Sequence, residues 1–136
     1  MAPQILKQLM QAIQERRVAV IRYGDQHRIR VVEPHVIYGN REGAVIVECY
    51  QTGGHVQDER PLPSWKLFRL MKIRSAALLN TTFETRLAAG FDPRRQEYLK
   101  GLIAMVDAPA PRAPEPGPFL STDHRRWLRE MEQKLN

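Results

Sequence analysis

Two stretches, Arg28-Ile-Arg-Val-Val-Glu-Pro-His-Val-Ile37 and Ala44-Val-Ile-Val-Glu-Cys-Tyr50, are rich in β-branched residues. Between them lies a loop that carries two glycines, Gly39 and Gly43. β-branched segments bounded by glycine-containing turns are typical of neighbouring antiparallel strands. Pro34 interrupts the first stretch, which predicts either an edge position or a bend, since proline cannot donate a hydrogen bond to a neighbouring strand.

The same pattern continues on both sides of this pair. Val18–Tyr23 reads as a strand before the Gly24-Asp25 turn, and Gly53-Gly54 predicts a second hairpin. A polar strand or arm is predicted over His55–Leu62, and a last strand over Phe68–Leu79. Several short strands at this spacing favour a closed barrel. We expect a mainly β fold with flanking helices (α+β), built on a small SH3-like or Sm-like β-barrel.

Helices are predicted on either side of the strands. Residues 3–16 carry apolar side chains at Ile5, Leu9 and Ile13, the spacing of one helix face. Asp92-Pro93 is typical of a helix start and precedes an apolar stripe at Leu99, Leu102, Ile103 and Val106. The expected organisation is an N-terminal helix and barrel over 1–83, a helical extension over 84–106, a proline-rich spacer over 107–120 and a docking helix over 121–136.

The charge is concentrated in the first of these segments. The 136-residue chain has a formal net charge of +6, and residues 1–83 hold 12 Lys and Arg against 7 Asp and Glu. A basic excess favours phosphates or acidic partners, although it also serves solubility. The single cysteine, Cys49, excludes an internal disulfide, and no apolar run is long enough to span a membrane. We therefore expect a cytoplasmic protein.

Several motifs, taken in order, resemble the WYL domain, a bacterial ligand-sensing module named for a Trp-Tyr-Leu tripeptide. They are Leu9–Glu15, Val18–Tyr23, Arg30-Val-Val-Glu-Pro34, Gly43-Ala-Val-Ile-Val47 and Phe68-Arg-Leu-Met-Lys-Ile73, and the resemblance covers about residues 9–83. The tripeptide is replaced by Val45-Ile46-Val47, and Met71 and Lys72 stand where the family's closing motif has Asp and Arg. The family's usual N-terminal helix-turn-helix is not expected in the residues that precede the first strand.

The resemblance implies a sensor of single-stranded nucleic acid or of a nucleotide-type ligand, coupled to transcription control. Arginine suits such a ligand because its rigid fork pairs with phosphate. Arg30 and Arg69 are expected to share one accessible surface, although either could instead pair with an acid and brace the barrel. Candidate ligand-binding residues are Arg30, Arg69, Tyr23, Lys72, Arg60, His35 and Tyr50. Core packing is favoured over base stacking for Tyr23, and a strand-end position over ligand contact for His35.

Other kinds of site find little support in the sequence. The histidines lack the spacing of metal ligands, so no metal and no cofactor are expected. Cys49 shares a strand face with Val45 and Val47, which favours a buried, inert thiol. No acid–base pair or nucleophile stands out, so we expect a protein that binds rather than catalyses.

The alternative function is a protein-interaction module that has no small ligand. It would self-associate or hold a partner through an apolar face of the docking helix, formed by Trp127, Leu128, Met131 and Leu135. The proline-rich spacer could let this helix cross to a second copy of the chain, so a homodimer is expected.

Overall fold

The computed structural model describes residues 3–25, 27–56 and 60–107, and its first element is helix α1. The helix spans Pro3–Glu15, in agreement with the sequence prediction. Ile5, Leu9 and Ile13 are buried in the core, whereas the polar residues between them face away. An isolated helix of this length is marginal in water, so the buried stripe is what stabilises it.

Six antiparallel strands form the body of the fold. They are β1 (Arg17–Tyr23), β2 (Arg28–Gly39), β3 (Val45–Gly54), β4 (Ser64–Arg69), β5 (Ile73–Thr82) and β6 (Leu102–Met105). The order in the sheet is β4-β3-β2-β1-β5, and β6 pairs with β2 outside this path. The prediction of a mainly β fold with helices is confirmed. The sheet is open, with β4 and β5 outermost, and an SH3-like or Sm-like closure remains a prediction.

Strand β2 changes partner along its length. Its first half pairs with β1 as far as Val32, and its second half pairs with β6 from Val36 onwards. Pro34 lies between these segments, where the pairing with β3 shifts register. The bend predicted from Pro34 is therefore confirmed. It divides β2 into an N-terminal half that carries Arg30 and a C-terminal half that carries His35.

Two strand boundaries differ from the sequence prediction. No strand covers His55–Leu62 in the part of this segment that the structure describes, and β4 begins only at Ser64. The last predicted strand, Phe68–Leu79, is divided by a 3₁₀ turn at Leu70–Lys72. This turn redirects the chain from one outer strand of the sheet to the other.

The predicted helical extension over 84–106 is wrong. The segment contains a 3₁₀ turn at Leu87–Ala89, one helical turn, α2, at Gln96–Leu99, and strand β6. Gly101 approaches the backbone so closely that an added Cβ would lie 2.4 Å from the oxygen of Gly39. A hydrogen bond of 2.8 Å from the Gly39 amide to the Gly101 carbonyl fixes this approach. Pairing with β2 therefore overrides the helical spacing of the apolar residues.

The end of the chain is outside the described residues. The proline-rich spacer is described only at Asp107, and the docking helix with Trp127, Leu128, Met131 and Leu135 is not described. The predictions made for these segments stay predictions. Within residues 3–25, 27–56 and 60–107, no helix is long and apolar enough to cross a membrane.

Candidate anion-binding site

A small cavity opens where β1 ends and β2 begins. Its volume is about 250 Å³. It is lined by Tyr23, Gly24, Asp25, Arg28, Arg30, His55 and Lys72. Three of these side chains carry a positive charge and one carries a negative charge, so the cavity is cationic. Its size is below that of a typical drug-sized pocket.

Local geometry brings four segments together around this cavity, which we call the cationic cavity. The amide of Gly24, in the turn after β1, donates a 2.9 Å hydrogen bond to the carbonyl of Lys72. This bond holds the 3₁₀ turn beside the β1–β2 hairpin. Arg28 and Arg30 are two residues apart on β2, so both point to the same side of the strand.

A close backbone approach places His55 at the cavity. Gly54 has a φ of +87°, and a Cβ at this position would lie 2.4 Å from the oxygen of Ile29 and 2.7 Å from the Cα of Arg30. Only glycine fits there. The next amide, that of His55, donates a 2.8 Å hydrogen bond to the Ile29 carbonyl. The end of β3 is therefore fixed against the start of β2.

Arg30 is the most enclosed cation of the cavity. It is only 5% exposed. The guanidinium carbon lies 5.3 Å from the ring centre of Tyr23 and 5.5 Å from that of Phe68. Aromatic faces attract a guanidinium, and the contact strengthens when water is excluded. The two rings thus fix the position of a buried positive charge at the wall of the cavity.

The single carboxylate of the cavity has a cation of its own. The Arg74 guanidinium lies 3.3 Å from Asp25, and both side chains are largely exposed. Exposed pairs of this kind contribute little to stability, yet Arg74 offsets the charge of Asp25. Among the described lining residues, Arg28, Arg30 and Lys72 outnumber the single carboxylate.

Arg69 is not part of the cationic cavity. It lies beside a second cavity of about 890 Å³, together with Arg41, Glu42, Glu97 and Lys100. Its guanidinium is 3.9 Å from the carboxylate of Glu42. Since Arg30 is buried and Arg69 is exposed on a different cavity, the prediction that they share one accessible surface is wrong. The physical reason is strand alternation, because Phe68 turns towards Arg30 and its neighbour Arg69 turns away.

The other sequence candidates fall in different places. Tyr23 packs edge-on against Phe68, at 4.9 Å between ring centres, and its hydroxyl accepts a 3.0 Å hydrogen bond from the Arg69 amide. The preference for packing over base stacking is therefore confirmed. Lys72, which was one of the predicted ligand-binding residues, lines the cationic cavity. Tyr50 lies against Trp65 instead, and Arg60 is exposed and is not among the lining residues.

His35 lies in the interior of β2, so the predicted strand-end position is wrong. Its ring is fully buried between Trp65, Phe83 and Phe91. Its Nδ1 lies 2.8 Å from the Glu33 carbonyl, and its Nε2 accepts a 3.1 Å hydrogen bond from the Arg86 amide. These partners require the proton on Nδ1. Burial lowers the pKa of His35 to about 4, despite the hydrogen bond to Glu33.

An ion pair completes this group of residues. The Arg86 side chain donates two hydrogen bonds to the Glu33 carboxylate, at 2.8 and 2.9 Å. Trp65 donates from Nε1 to the Ala89 carbonyl at 2.8 Å. We call Glu33, His35, Trp65 and Arg86 the buried polar cluster. It attaches the segment after β5 to strands β2 and β4.

Two further buried groups lie on β3. Cys49 is 1% exposed, and burial raises the pKa of its thiol well above the usual value, so the prediction of a buried cysteine is confirmed. Burial also raises the pKa of Glu48, against the hydrogen bond that its carboxylate accepts from the Tyr98 hydroxyl. In the part of the chain that the structure describes, no three His, Cys, Asp or Glu residues form a group that could hold a metal.

The sequence analysis missed four residues of the cationic cavity, Gly24, Asp25, Arg28 and His55. A two-residue spacing to Arg30 could have identified Arg28, since alternate residues of a strand share a face. For His55 the available indication was its position directly after Gly53-Gly54. The hairpin turn predicted at Gly53-Gly54 is wrong, because both glycines continue β3 and pair with Val31 and Arg30 of β2.

Comparisons with known proteins add no assignment: no family model matches the chain, and neither does any curated protein or solved structure that was searched. The resemblance to the WYL domain therefore remains an interpretation of the motifs.

Proposed function

We propose that this protein is a ligand-binding regulatory module that takes a phosphate-bearing anion, such as a nucleotide or single-stranded nucleic acid, in the cationic cavity. The observation that carries the proposal is the convergence of Arg28, Arg30 and Lys72 on one small cavity. Three cations around a space of this size favour a compact anion. The resemblance to the WYL domain supports the same class of ligand.

The chemistry of the lining residues suits an oxyanion such as phosphate. Arginine offers several donors in a planar fork, and hydrogen bonds between charged partners are shorter and stronger than neutral ones. Arg30 is held in place by two rings, so little conformational freedom would be lost when it binds an anion. The faces of Tyr23 and Phe68 already contact Arg30, so a base would lie outside the cavity.

The regulatory part of the proposal rests on the resemblance alone. A module of this kind would act as an accessory transcriptional regulator, and ligand binding would be passed on through a partner or through self-association. The cavity lies between two hairpins and a 3₁₀ turn. An anion there would hold these three segments together, which is a route by which binding could change the surface offered to a partner.

The test is binding of short fluorescent DNA and RNA oligonucleotides, with ATP as a competitor, at two salt concentrations. Counterion release predicts weaker oligonucleotide binding at the higher salt concentration. Arg28→Gln and Lys72→Gln should each weaken binding about tenfold, the effect of one charged hydrogen bond. Arg94→Gln is the matched control, because it removes one exposed positive charge and lines neither cavity.

Two results would contradict the proposal. One is the absence of salt-dependent binding for any of these probes. The other is binding that Arg28→Gln and Lys72→Gln leave at the level of the Arg94→Gln control, which would mean that overall charge and not the cavity attracts the ligand.

A further inference from the structure

Strand β5 is an unusually open edge of the sheet. It spans ten residues, Ile73–Thr82, and pairs with β1 along one side. On its other side, no strand among the described residues lies next to it. An unpaired edge presents a row of amide and carbonyl groups that can pair with another strand.

The other two edges of the sheet differ from β5 in length and charge. Strand β4 has six residues, including Lys66 and Arg69, and β6 has only four. Short length and positive side chains are the usual ways in which proteins prevent edge pairing. In β5, by contrast, the eight residues Ser75-Ala-Ala-Leu-Leu-Asn-Thr-Thr82 contain neither a charge nor a proline.

One face of β5 is already covered and the other is open. Helix α1 packs on β5, and Ala76 contacts the hydrophobic core. Ala77 and Leu79 lie on the opposite face, where both are exposed and Leu79 retains 38% of its accessible area. An edge strand with small and apolar exposed side chains can extend the sheet without burying a charge of its own. The one charge seated on this part of β5 belongs to Arg17 of β1, whose guanidinium donates a 2.8 Å hydrogen bond to the Leu79 carbonyl.

We propose that β5 pairs antiparallel with β5 of a second copy of the chain, with the two-fold axis at Ala77. This arrangement matches uncharged residues with uncharged residues along the middle of the strand. It also places the Arg74 side chains of the two copies roughly 20 Å apart, at about 3.4 Å per residue. The absence of charge at this contact is important because the chain has a net charge of +6. Two copies therefore repel each other unless they meet at a neutral surface.

This interface does not rest on the proposed ligand. A symmetric contact of the same strand with itself closes after two copies, so it gives a dimer and no larger assembly. The paired strands would join two sheets into one and bring the exposed Ala77 and Leu79 side chains of both copies together. Cross-strand apolar pairs of this kind stabilise antiparallel sheets.

The experiment measures the mass of the full chain in solution by sedimentation and light scattering. The wild type should have twice the 15.8 kDa chain mass at micromolar concentrations. Ala77→Lys and Ala77→Glu should each be monomeric, because like charges then meet near the axis. An equimolar mixture of the two variants should regain the dimer mass. Leu67→Lys, on the exposed face of β4, is the matched control and should stay dimeric.

Several results would overturn the proposal. A monomeric wild type removes it. Dimers that persist in both Ala77 variants place the interface elsewhere in the chain. Assemblies larger than a dimer that tolerate Ala77→Glu indicate head-to-tail pairing of β5 with the basic β4 edge instead.

A measurement on the wild type covers the case in which a variant fails to fold. Hydrogen exchange at the β5 amides should slow as the protein concentration is raised, while exchange in β4 stays constant. Exchange in β5 that does not depend on concentration would overturn the proposal as well.

Discussion

The two halves of β2 each bury a basic side chain among aromatic rings, yet the surroundings of these two side chains differ. Arg30, before the bend at Pro34, lies against Tyr23 and Phe68 and lines the cationic cavity. His35, after the bend, lies between Trp65, Phe83 and Phe91. Aromatic enclosure alone therefore does not identify a binding site.

The two halves of β2 differ in the polar contacts that surround their buried basic side chains. In the buried polar cluster, both ring nitrogens of His35 and both carboxylate oxygens of Glu33 have partners within the protein. Such a network of satisfied polar groups stabilises one conformation. In the cationic cavity, by contrast, Arg28, Arg30 and Lys72 line an open volume. The comparison predicts that changes in the cluster affect stability and changes in the cavity affect binding.

The largest expected effect is on stability. It is tested by replacing His35 of the buried polar cluster and His55 of the cationic cavity with alanine, one at a time. His35→Ala removes a fully buried ring and two hydrogen bonds, so the free energy of unfolding should fall by about 3–5 kcal/mol, the cost of a large buried ring. His55→Ala removes a half-buried side chain of the cavity. It should change stability by less than about 1 kcal/mol and weaken phosphate or oligonucleotide binding about threefold.

Urea unfolding and ligand titration of the same two variants check this prediction. The comparison fails if His55→Ala proves the more destabilising variant, or if His35→Ala weakens binding while the protein is still folded.

The second prediction concerns acid stability. The pKa of His35 is lowered from 6.5 to about 4 in the folded protein. The unfolded chain therefore binds the proton more readily, and the stability contributed by neutral His35 is complete above pH 6.5 and is lost as the pH falls to 4. At about 1.4 kcal/mol per pKa unit, the loss amounts to about 3 kcal/mol. The raised pKa of Glu48 acts in the opposite direction, since it favours proton uptake by the folded state.

Urea unfolding between pH 7 and pH 4 measures this loss. His35→Phe keeps the ring and removes the titrating group, so its stability should fall less steeply in the same window. Parallel pH curves for wild type and His35→Phe would show that His35 does not carry the effect.

The third prediction tests the cavity through its buried cation. Arg30→Leu keeps an apolar side chain between Tyr23 and Phe68, so the protein should remain folded while affinity for a phosphate-bearing probe falls about tenfold or more. Arg30→Lys keeps the charge but loses the planar fork, and should recover only part of the affinity. Fluorescence titration with one oligonucleotide ranks the three proteins. Equal affinities would move the binding surface away from Arg30, with the cavity around Arg69 as the next candidate.

The strands before and after the loop at Gly39–Gly43 could be predicted from sequence because local pattern and tertiary structure agree there. β-branched runs and glycine turns gave β1, β2 and β3 nearly correct boundaries. Strand β6 could not be predicted, because Leu99, Leu102 and Ile103 have helical spacing. In the structure the helical turn α2 ends at Leu99, and Leu102 and Ile103 lie in a strand that pairs with β2. That pairing joins residues more than sixty positions apart, and no local pattern encodes it.

Prediction of the site residues was also limited to features that local sequence encodes. Arg30, Tyr23 and Lys72 were identified from motifs and do lie together, since each is close in sequence to a turn that brings strands into contact. Arg69 was predicted to lie on the same surface as Arg30, but its side chain points to the opposite side of β4 from Phe68. Which of these two side chains faces Arg30 depends on the orientation of β4 in the sheet, and the sequence does not show this orientation. His35 was not recognised as buried because the rings that cover it come from β4 and from the segment after β5.

The smallest expected effect concerns the point between the two halves of β2. Cys49 on β3 lies opposite Pro34, at the bend itself, and burial raises the pKa of its thiol. A thiol reagent should therefore react slowly with the native protein, because reaction requires the strands to open and the thiolate to form. His35→Ala should speed the labelling of Cys49, since the buried polar cluster holds the C-terminal half of β2, whereas His55→Ala should leave the rate unchanged. Rapid labelling of the wild type, or equal acceleration by both variants, would mean that the two halves of β2 open together and that the division at Pro34 has no energetic meaning.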